Sequence, residues 1–73
     1  MDYLWGADLT EADLSDAFMM RIDLDSASLA RAQLDRADLT DAHLPRADLT
    51  DADLPNANLQ LADLRGAHWR IQI

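Results

Sequence analysis

The sequence has 73 residues, no cysteine, 49% hydrophobic residues and a formal net charge of −8. This length allows one domain with a small core, so we expect residues 1–73 to form a single domain. The lack of cysteine excludes disulfides and cysteine-based zinc sites, and the negative charge opposes direct binding to nucleic acid or to anionic lipid. No apolar run is long enough for a membrane span or a signal peptide, so we expect a soluble protein of the cytoplasm.

A five-residue repeat runs along the chain from its first residues. Stepping by five from Leu4 to Trp69 gives fourteen positions, of which twelve are leucine, and the position two residues earlier is alanine twelve times. A helix would scatter side chains spaced by five around its axis, and a straight strand would send successive leucines to opposite faces. Short straight segments joined by corners let the alanine and the leucine of each unit both point inward. The pattern therefore predicts an all-β coil with an alanine and leucine core.

The charges on the last residue of each unit indicate how many units close one coil. If four units close it, residues four units apart are stacked about 4.8 Å from each other and should carry opposite charges. All four charged pairs at this spacing have opposite signs, namely Glu11–Arg31, Asp16–Arg36, Arg21–Asp41 and Arg31–Asp51. Spacings of three or five units give fewer opposite pairs. We therefore predict a square, parallel coil that closes after four units, with about 3.6 coils in a chain of this length.

Seven of the units read Ala-Asp-Leu or Ala-Asn-Leu at their first three positions. They are residues 7–9, 12–14, 37–39, 47–49, 52–54, 57–59 and 62–64. These units resemble those of the pentapeptide repeat family, and the resemblance covers essentially the whole chain. It implies a right-handed quadrilateral β-helix, which is a solenoid with the central residue and the residue two before it directed inward.

The sequence contains no pattern that is typical of an enzyme or of a metal or cofactor site. His43 and His68 are separated by five units, so they should lie on different sides of the square and form no metal pair. Lysine is absent, and no serine or threonine has a basic partner at the spacing of a known motif. The aspartates that precede the central residue are expected to be solvated or bonded to the turns. We therefore predict no catalytic activity, no cofactor and no metal.

Apolar residues near the two ends of the chain are the first candidate contact surface. Tyr3, Trp5, Phe18 and Met20 are predicted to face outward on two adjacent sides of the first coil, and Trp69, Ile71 and Ile73 add apolar bulk where the motif stops. Solenoids usually need caps over their open ends. We expect a protein partner at one or both ends, most simply a second copy of the chain. The alternative is that the last residues fold over the final coil and that Phe18 is a tolerated surface residue.

Acidic residues provide a second candidate surface. Some pentapeptide repeat proteins are similar to duplex DNA in width and charge and bind DNA gyrase, and this role would fall here on Asp8, Asp13, Asp48, Asp51 and Asp53. The members with that activity are longer rods with a C-terminal helix, whereas this sequence has no helical period. The main prediction is therefore a structural or protein-interaction module, and the alternative is a DNA mimic that binds DNA gyrase or another DNA-binding protein.

Overall fold

The computed structural model describes residues 3–70, apart from the side chain of Arg70. Two short strands, β1 (Asp48–Thr50) and β2 (His68–Arg70), pair in parallel with Leu49 opposite Trp69. Nine further parallel bridges each join two residues that are four units apart, from Tyr3–Asp23 to His43–Asp63. The four-unit spacing expected from the charges is thus the register of every pairing among the described residues.

A tight turn ends each five-residue unit, because the last residue of the unit adopts a left-handed backbone. Thirteen such residues have φ between 57° and 73°, and eleven of them are not glycine. The turn is closed by a backbone bond such as that from the N–H of Ala12 to the carbonyl of Leu9, at 3.0 Å. A positive φ at the third residue is the feature of a type II turn, in which proline is favoured at the second residue. Pro45 and Pro55 occupy that second position.

Four turns separate each pair of stacked residues, so the inward positions form columns. The fully buried leucines are Leu24, Leu29, Leu34, Leu39, Leu44 and Leu49. The alanines of the same units are buried with them, and Met19 and Ile22, where the repeat departs from its usual residues, are also buried. No charged or polar residue is buried among residues 3–70. The inward directions predicted from the period of five are therefore confirmed for the middle of the chain.

The core is incomplete at both ends of the rod. Leu9 and Leu14 of the first coil are only partly buried, as are Leu59 and Leu64 of the last coil. Their inward direction is the same as in the middle, but a described coil lies on one side of them only. The molecule measures 27 × 19 × 19 Å. Within residues 3–70, no helix has the length and apolar character to cross a membrane.

Candidate interaction surfaces

Four large apolar side chains project from the first coil, and we call Tyr3, Trp5, Phe18 and Met20 the first-coil patch. Their exposed fractions are 69%, 68%, 88% and 46%, respectively. They occupy the positions just before and just after the central residue, where the rest of the chain carries mainly aspartate, serine, threonine or proline. These four residues therefore face outward, as predicted, while their role in binding stays a prediction.

Trp69 is the described member of the predicted C-terminal contact. The period of five predicts that it points into the column of Leu9, Leu29 and Leu49, and it does pair with Leu49. Its exposed fraction is nevertheless 41%, because no described coil covers it. Its exposure makes it available for contact, while its predicted role in binding stays a prediction. Ile71 and Ile73 lie outside the described residues.

The five predicted acidic residues lie around one corner of the square, and we call this set the acidic corner. Asp8 and Asp48 stand in one column of stacked residues, whose bridges are Asp8–Ser28 and Ser28–Asp48. Asp13 and Asp53 stand in the corresponding column of the next side, through Gln33. Asp51 occupies the turn between these two sides. Among the described residues, none of the five carboxylates has an arginine within 4.0 Å.

Turn bonds hold part of this acidic corner in place. The N–H and hydroxyl of Thr50 donate to the same carboxylate oxygen of Asp48, and these bonds lower the pKa of Asp48 below its ordinary value of 3.8. Asp53 cannot make the equivalent bond, because Pro55 has no N–H. Asp51 also makes no hydrogen bond through its carboxylate among residues 3–70. Asp51 and Asp53 are therefore the carboxylates most open to a cationic partner.

Arginines neutralise part of the acidic charge, and one of them, Arg31, stands in the same corner column as Asp51. The ion pairs Arg31–Glu11 and Arg36–Asp16 join stacked residues at 3.4 and 2.7 Å, as the charge pattern predicted. The expected pairs Arg21–Asp41 and Arg31–Asp51 do not form within 4.0 Å in the described part of the chain. Arg31 instead reaches Glu11, and nothing in the structure explains why Arg21 stays apart from Asp41.

Three ion pairs were not predicted from the sequence, and one of them joins Arg36 to its neighbour Asp35 at 2.5 Å. Arg46 reaches Asp25 at 2.7 Å, although Asp25 is one position away from the residue on which Arg46 is stacked. Arg65 binds Asp63 in its own unit at 2.7 Å and, by hydrogen bonding, lowers the pKa of Asp63 to about 2. The long side chains of Arg46 and Arg65 can bind a carboxylate beside the stacked residue. A rule that pairs only residues four units apart does not predict such contacts.

The same arginines line an open depression of about 450 Å³ around His43. His43 is stacked between Asp23 and Asp63. Its arginines are already paired with Asp25 and Asp63. No group of three or more histidine and acidic side chains within residues 3–70 is arranged to hold a metal ion. The depression therefore carries no chemistry that we can assign.

Parallel bridges between every unit and the fourth one after it, a turn in each unit and columns of inward leucines define a β-helical repeat protein. The model for pentapeptide repeats matches eight copies over residues 4–41 and 32–68. The chain belongs to the pentapeptide repeat family, as its Ala-Asp-Leu units predicted.

Solved structures of two relatives give the same result. A pentapeptide repeat protein from the thylakoid lumen of Arabidopsis thaliana is 28% identical, with a TM-score of 0.85 over 99% of this chain and 55% of that protein. HetL from the cyanobacterium Nostoc sp. strain PCC 7120, a pentapeptide repeat protein involved in the regulation of heterocyst differentiation, is 36% identical, with a TM-score of 0.50 over 90% of this chain and 35% of HetL. The chain thus spans about half of the Arabidopsis protein and about a third of HetL. No curated protein sequence matches it significantly.

The cytoplasmic location expected from the sequence is contradicted by this comparison. The Arabidopsis relative, which matches nearly the whole chain, is a protein of the thylakoid lumen. The expectation rested on the lack of an apolar segment. The residues that build this fold do not record a compartment, because the same inward leucines and outward polar residues serve in any aqueous space.

Proposed function

We propose that the chain is a non-enzymatic protein-interaction module, built as a right-handed quadrilateral β-helix of about 3.6 coils, that binds a partner through the first-coil patch. The observation that carries this proposal is the exposure of four large apolar side chains at outward positions of a single coil. Aromatic residues dominate the binding energy of protein interfaces, since they bury large areas with few rotatable bonds.

The backbone beneath the patch is held firmly, which favours a preformed binding surface. The N–H of Leu4 donates to the carbonyl of Asp23 at 2.8 Å, and that of Met19 donates to Asp38 at 2.8 Å. Burial of each large apolar side chain contributes about 1.5–3 kcal/mol, so four of them contribute about 6–12 kcal/mol in total. This is comparable with the cost of association itself, so polar contacts around the patch must add to the affinity of a tight complex.

Two double variants test whether the patch is the binding surface. Trp5→Ser with Phe18→Ser removes two of the three aromatic side chains of the patch, and serine already occupies the equivalent positions at Ser15 and Ser28. Asp51→Asn with Asp53→Asn is the matched control, because neither carboxylate makes a hydrogen bond in the described structure. Each immobilised variant is exposed to soluble extract of the organism that makes the protein, and the retained proteins are identified. A partner held by the wild type and the control but lost from the aromatic variant supports the proposal, whereas retention by the aromatic variant contradicts it.

The acidic corner supports a second candidate, a mimic of duplex DNA that binds DNA gyrase. The observation that favours it is that five carboxylates around one corner have no arginine within 4.0 Å among the described residues, although Arg31, which is paired with Glu11, stands in the same corner column as Asp51. Purified gyrase would be titrated with the chain at low and moderate salt, with duplex DNA as competitor. Mimicry requires binding that DNA displaces, that salt weakens and that the Asp51→Asn, Asp53→Asn variant loses.

A further inference from the structure

We propose that two copies of the chain pair side by side and antiparallel, with Tyr3 and Trp5 of each copy entering the depression around His43 of the other. The proposal names a second copy as the partner of this part of the first-coil patch and rests on the proposed function to that extent. The contact lies on one side of the square, so it does not involve the coil ends.

The side concerned carries both an apolar projection and the depression, and we call it the aromatic side. It consists of residues 3–6, 22–26, 42–46 and 62–66. The residues just before and just after each central one project from it in four rows, because bridges and corner bonds stack units that are four apart. In order along the rod, rows 1 to 4 are Tyr3 and Trp5, Asp23 and Asp25, His43 and Pro45, and Asp63 and Arg65. Row 1 is the projection, and the depression lies over rows 2 to 4.

A two-fold axis that crosses the aromatic side between rows 2 and 3, perpendicular to the rod, makes this surface complementary to itself. A contact of this kind uses the same surface on both copies. The axis reverses the order of the rows, so row 1 of each copy meets row 4 of the other, and row 2 meets row 3. It keeps each column in line, so Trp5 faces Arg65 and Tyr3 faces Asp63. The aromatic pair of each copy therefore reaches the depression of the other.

Trp5 fits the depression in size and in chemistry. The depression measures about 450 Å³, which is within the range of about 300–1,000 Å³ for pockets that hold a small molecule. In the paired copies, the indole of Trp5 lies between Pro45 and Arg65, and a guanidinium over the face of a tryptophan is attracted by its π electrons. Arg65 keeps its own bonds to Asp63, at 2.9 and 2.7 Å. Bonds in the plane of a guanidinium leave its faces free to stack on an aromatic ring.

Two opposite charges at the edge of the aromatic side support the same axis. Arg21 and Asp41 are stacked corner residues that directly precede the units of rows 2 and 3. Neither has an ion-pair partner within 4.0 Å among residues 3–70. Because the axis exchanges rows 2 and 3, it brings Arg21 of each copy to Asp41 of the other, and two ion pairs form. It also brings the ring N–H of His43 to the carboxylate of Asp23, which can accept a hydrogen bond from it.

The size and charge of the contact predict a weak dimer. A side of 27 × 19 Å is about 500 Å² per copy, or about 1,000 Å² for both, which is below the roughly 1,200 Å² of stable interfaces. Each chain also carries a net charge of −8, so two copies repel each other at long range. We therefore expect a dissociation constant of about 0.1 mM. Because both copies use the same surface, the contact closes on itself and no species larger than a dimer is expected.

Sedimentation equilibrium of the full chain, from about 10 µM to about 1 mM in about 0.15 M salt, tests this inference. The specific variant is Asp41→Arg, which places an arginine opposite Arg21 of the other copy and should raise the dissociation constant at least about tenfold. Asp51→Arg is the matched control, because it makes the same exchange at a corner that does not border the aromatic side. The control should not raise the dissociation constant. Circular dichroism verifies that each variant is folded.

A second charge reversal tests the antiparallel arrangement. Arg21→Asp should weaken the dimer as Asp41→Arg does, because like charges then meet at both edges. In an equal mixture of these two variants, each changed residue meets an opposite charge on the other copy, so dimers should form again. The aromatic contact has its own test, in which Trp5→Ser raises the dissociation constant about tenfold. Phe18→Ser should change it by less than about twofold, because Phe18 lies on the neighbouring side.

Monomers at every concentration, growth beyond a dimer, equal effects of Asp41→Arg and Asp51→Arg, or no gain on mixing would each overturn the inference. The outcome is separable from that of the proposed function. A monomeric chain whose captured partner is lost from the variant with both Trp5→Ser and Phe18→Ser would overturn the dimer alone. A chain that dimerises as described, but whose captured partners are all retained by that variant, would overturn the wider proposal.

Discussion

Replacement of Leu44 by alanine tests the inward columns quantitatively. Leu44 is fully buried, and it lies between Leu24 and Leu64, whose backbone segments are joined to its own by bonds of 2.6 and 2.7 Å. These bonds fix the spacing of the coils, so the cavity left by alanine cannot collapse. Leucine-to-alanine changes at such sites cost about 3–5 kcal/mol. A chain of 73 residues has a total stability of only about 4–11 kcal/mol, so this single change removes a large part of it.

Urea unfolding followed by circular dichroism measures the loss. With a slope of about 1 kcal/mol per molar urea, the midpoint should fall by about 3–5 M. Leu61→Ala is the matched control, because it removes the same atoms from a corner side chain that is 78% exposed. The control should change the stability by less than about 0.5 kcal/mol. Equal shifts for the two variants would refute the assignment of inward and outward positions.

Three further predictions concern the corners and the carboxylates. Gly6→Ala should lower the free energy of unfolding by about 1 kcal/mol or less, since non-glycine residues occupy most other corners. Gly66→Ala should lower it by more in the same urea assay, because the new Cβ would lie 3.3 Å from the side chain of Arg46, which is stacked below it. Equal costs would contradict this. Thr50→Val removes the hydroxyl donor to Asp48, so the pKa of Asp48 should rise in a carboxyl titration by NMR, and an unchanged value would be contrary evidence. The pKa of Asp63 falls from 3.8 to about 2 on folding, so its contribution to stability is complete above about pH 5 and is lost as the pH falls from about 4 to about 2. The difference in urea midpoint between the wild type and Asp63→Asn should therefore shrink over that range, and a constant difference would argue against it.

The columns and corners could be predicted because every unit repeats the same physical demand. An inward position accepts alanine or leucine, and a corner accepts proline at its second position. The five-residue period therefore predicts both the inward positions and the corners. The partners of long surface side chains could not be predicted, since Arg46 can reach Asp25 or another nearby carboxylate with little difference in energy. The exposure of Trp69 depends on what lies beyond the last coil, and the units themselves carry no such information.

For the interaction surfaces, the sequence indicated which residues point outward but not what they bind. Phe18 is exposed because it stands where other units have a polar residue, and this is visible in the repeat alone. The lack of a turn hydrogen bond to Asp53 could also have been predicted from the sequence, because the residue two positions later is proline. The identity of a partner depends on a second surface, whose chemistry this chain does not encode.

The pairing of residues four units apart is the claim on which the surfaces and the columns both depend. Scalar couplings across hydrogen bonds, measured by NMR on labelled protein, report donor and acceptor directly. We predict couplings from the N–H of Leu24 to the carbonyl of His43 and from the N–H of Leu44 to that of Asp63. Couplings from Leu24 to the carbonyl of Asp38 or Asp48, one unit nearer or one unit further along the chain, would contradict the account, as would couplings to carbonyls four positions earlier as in a helix.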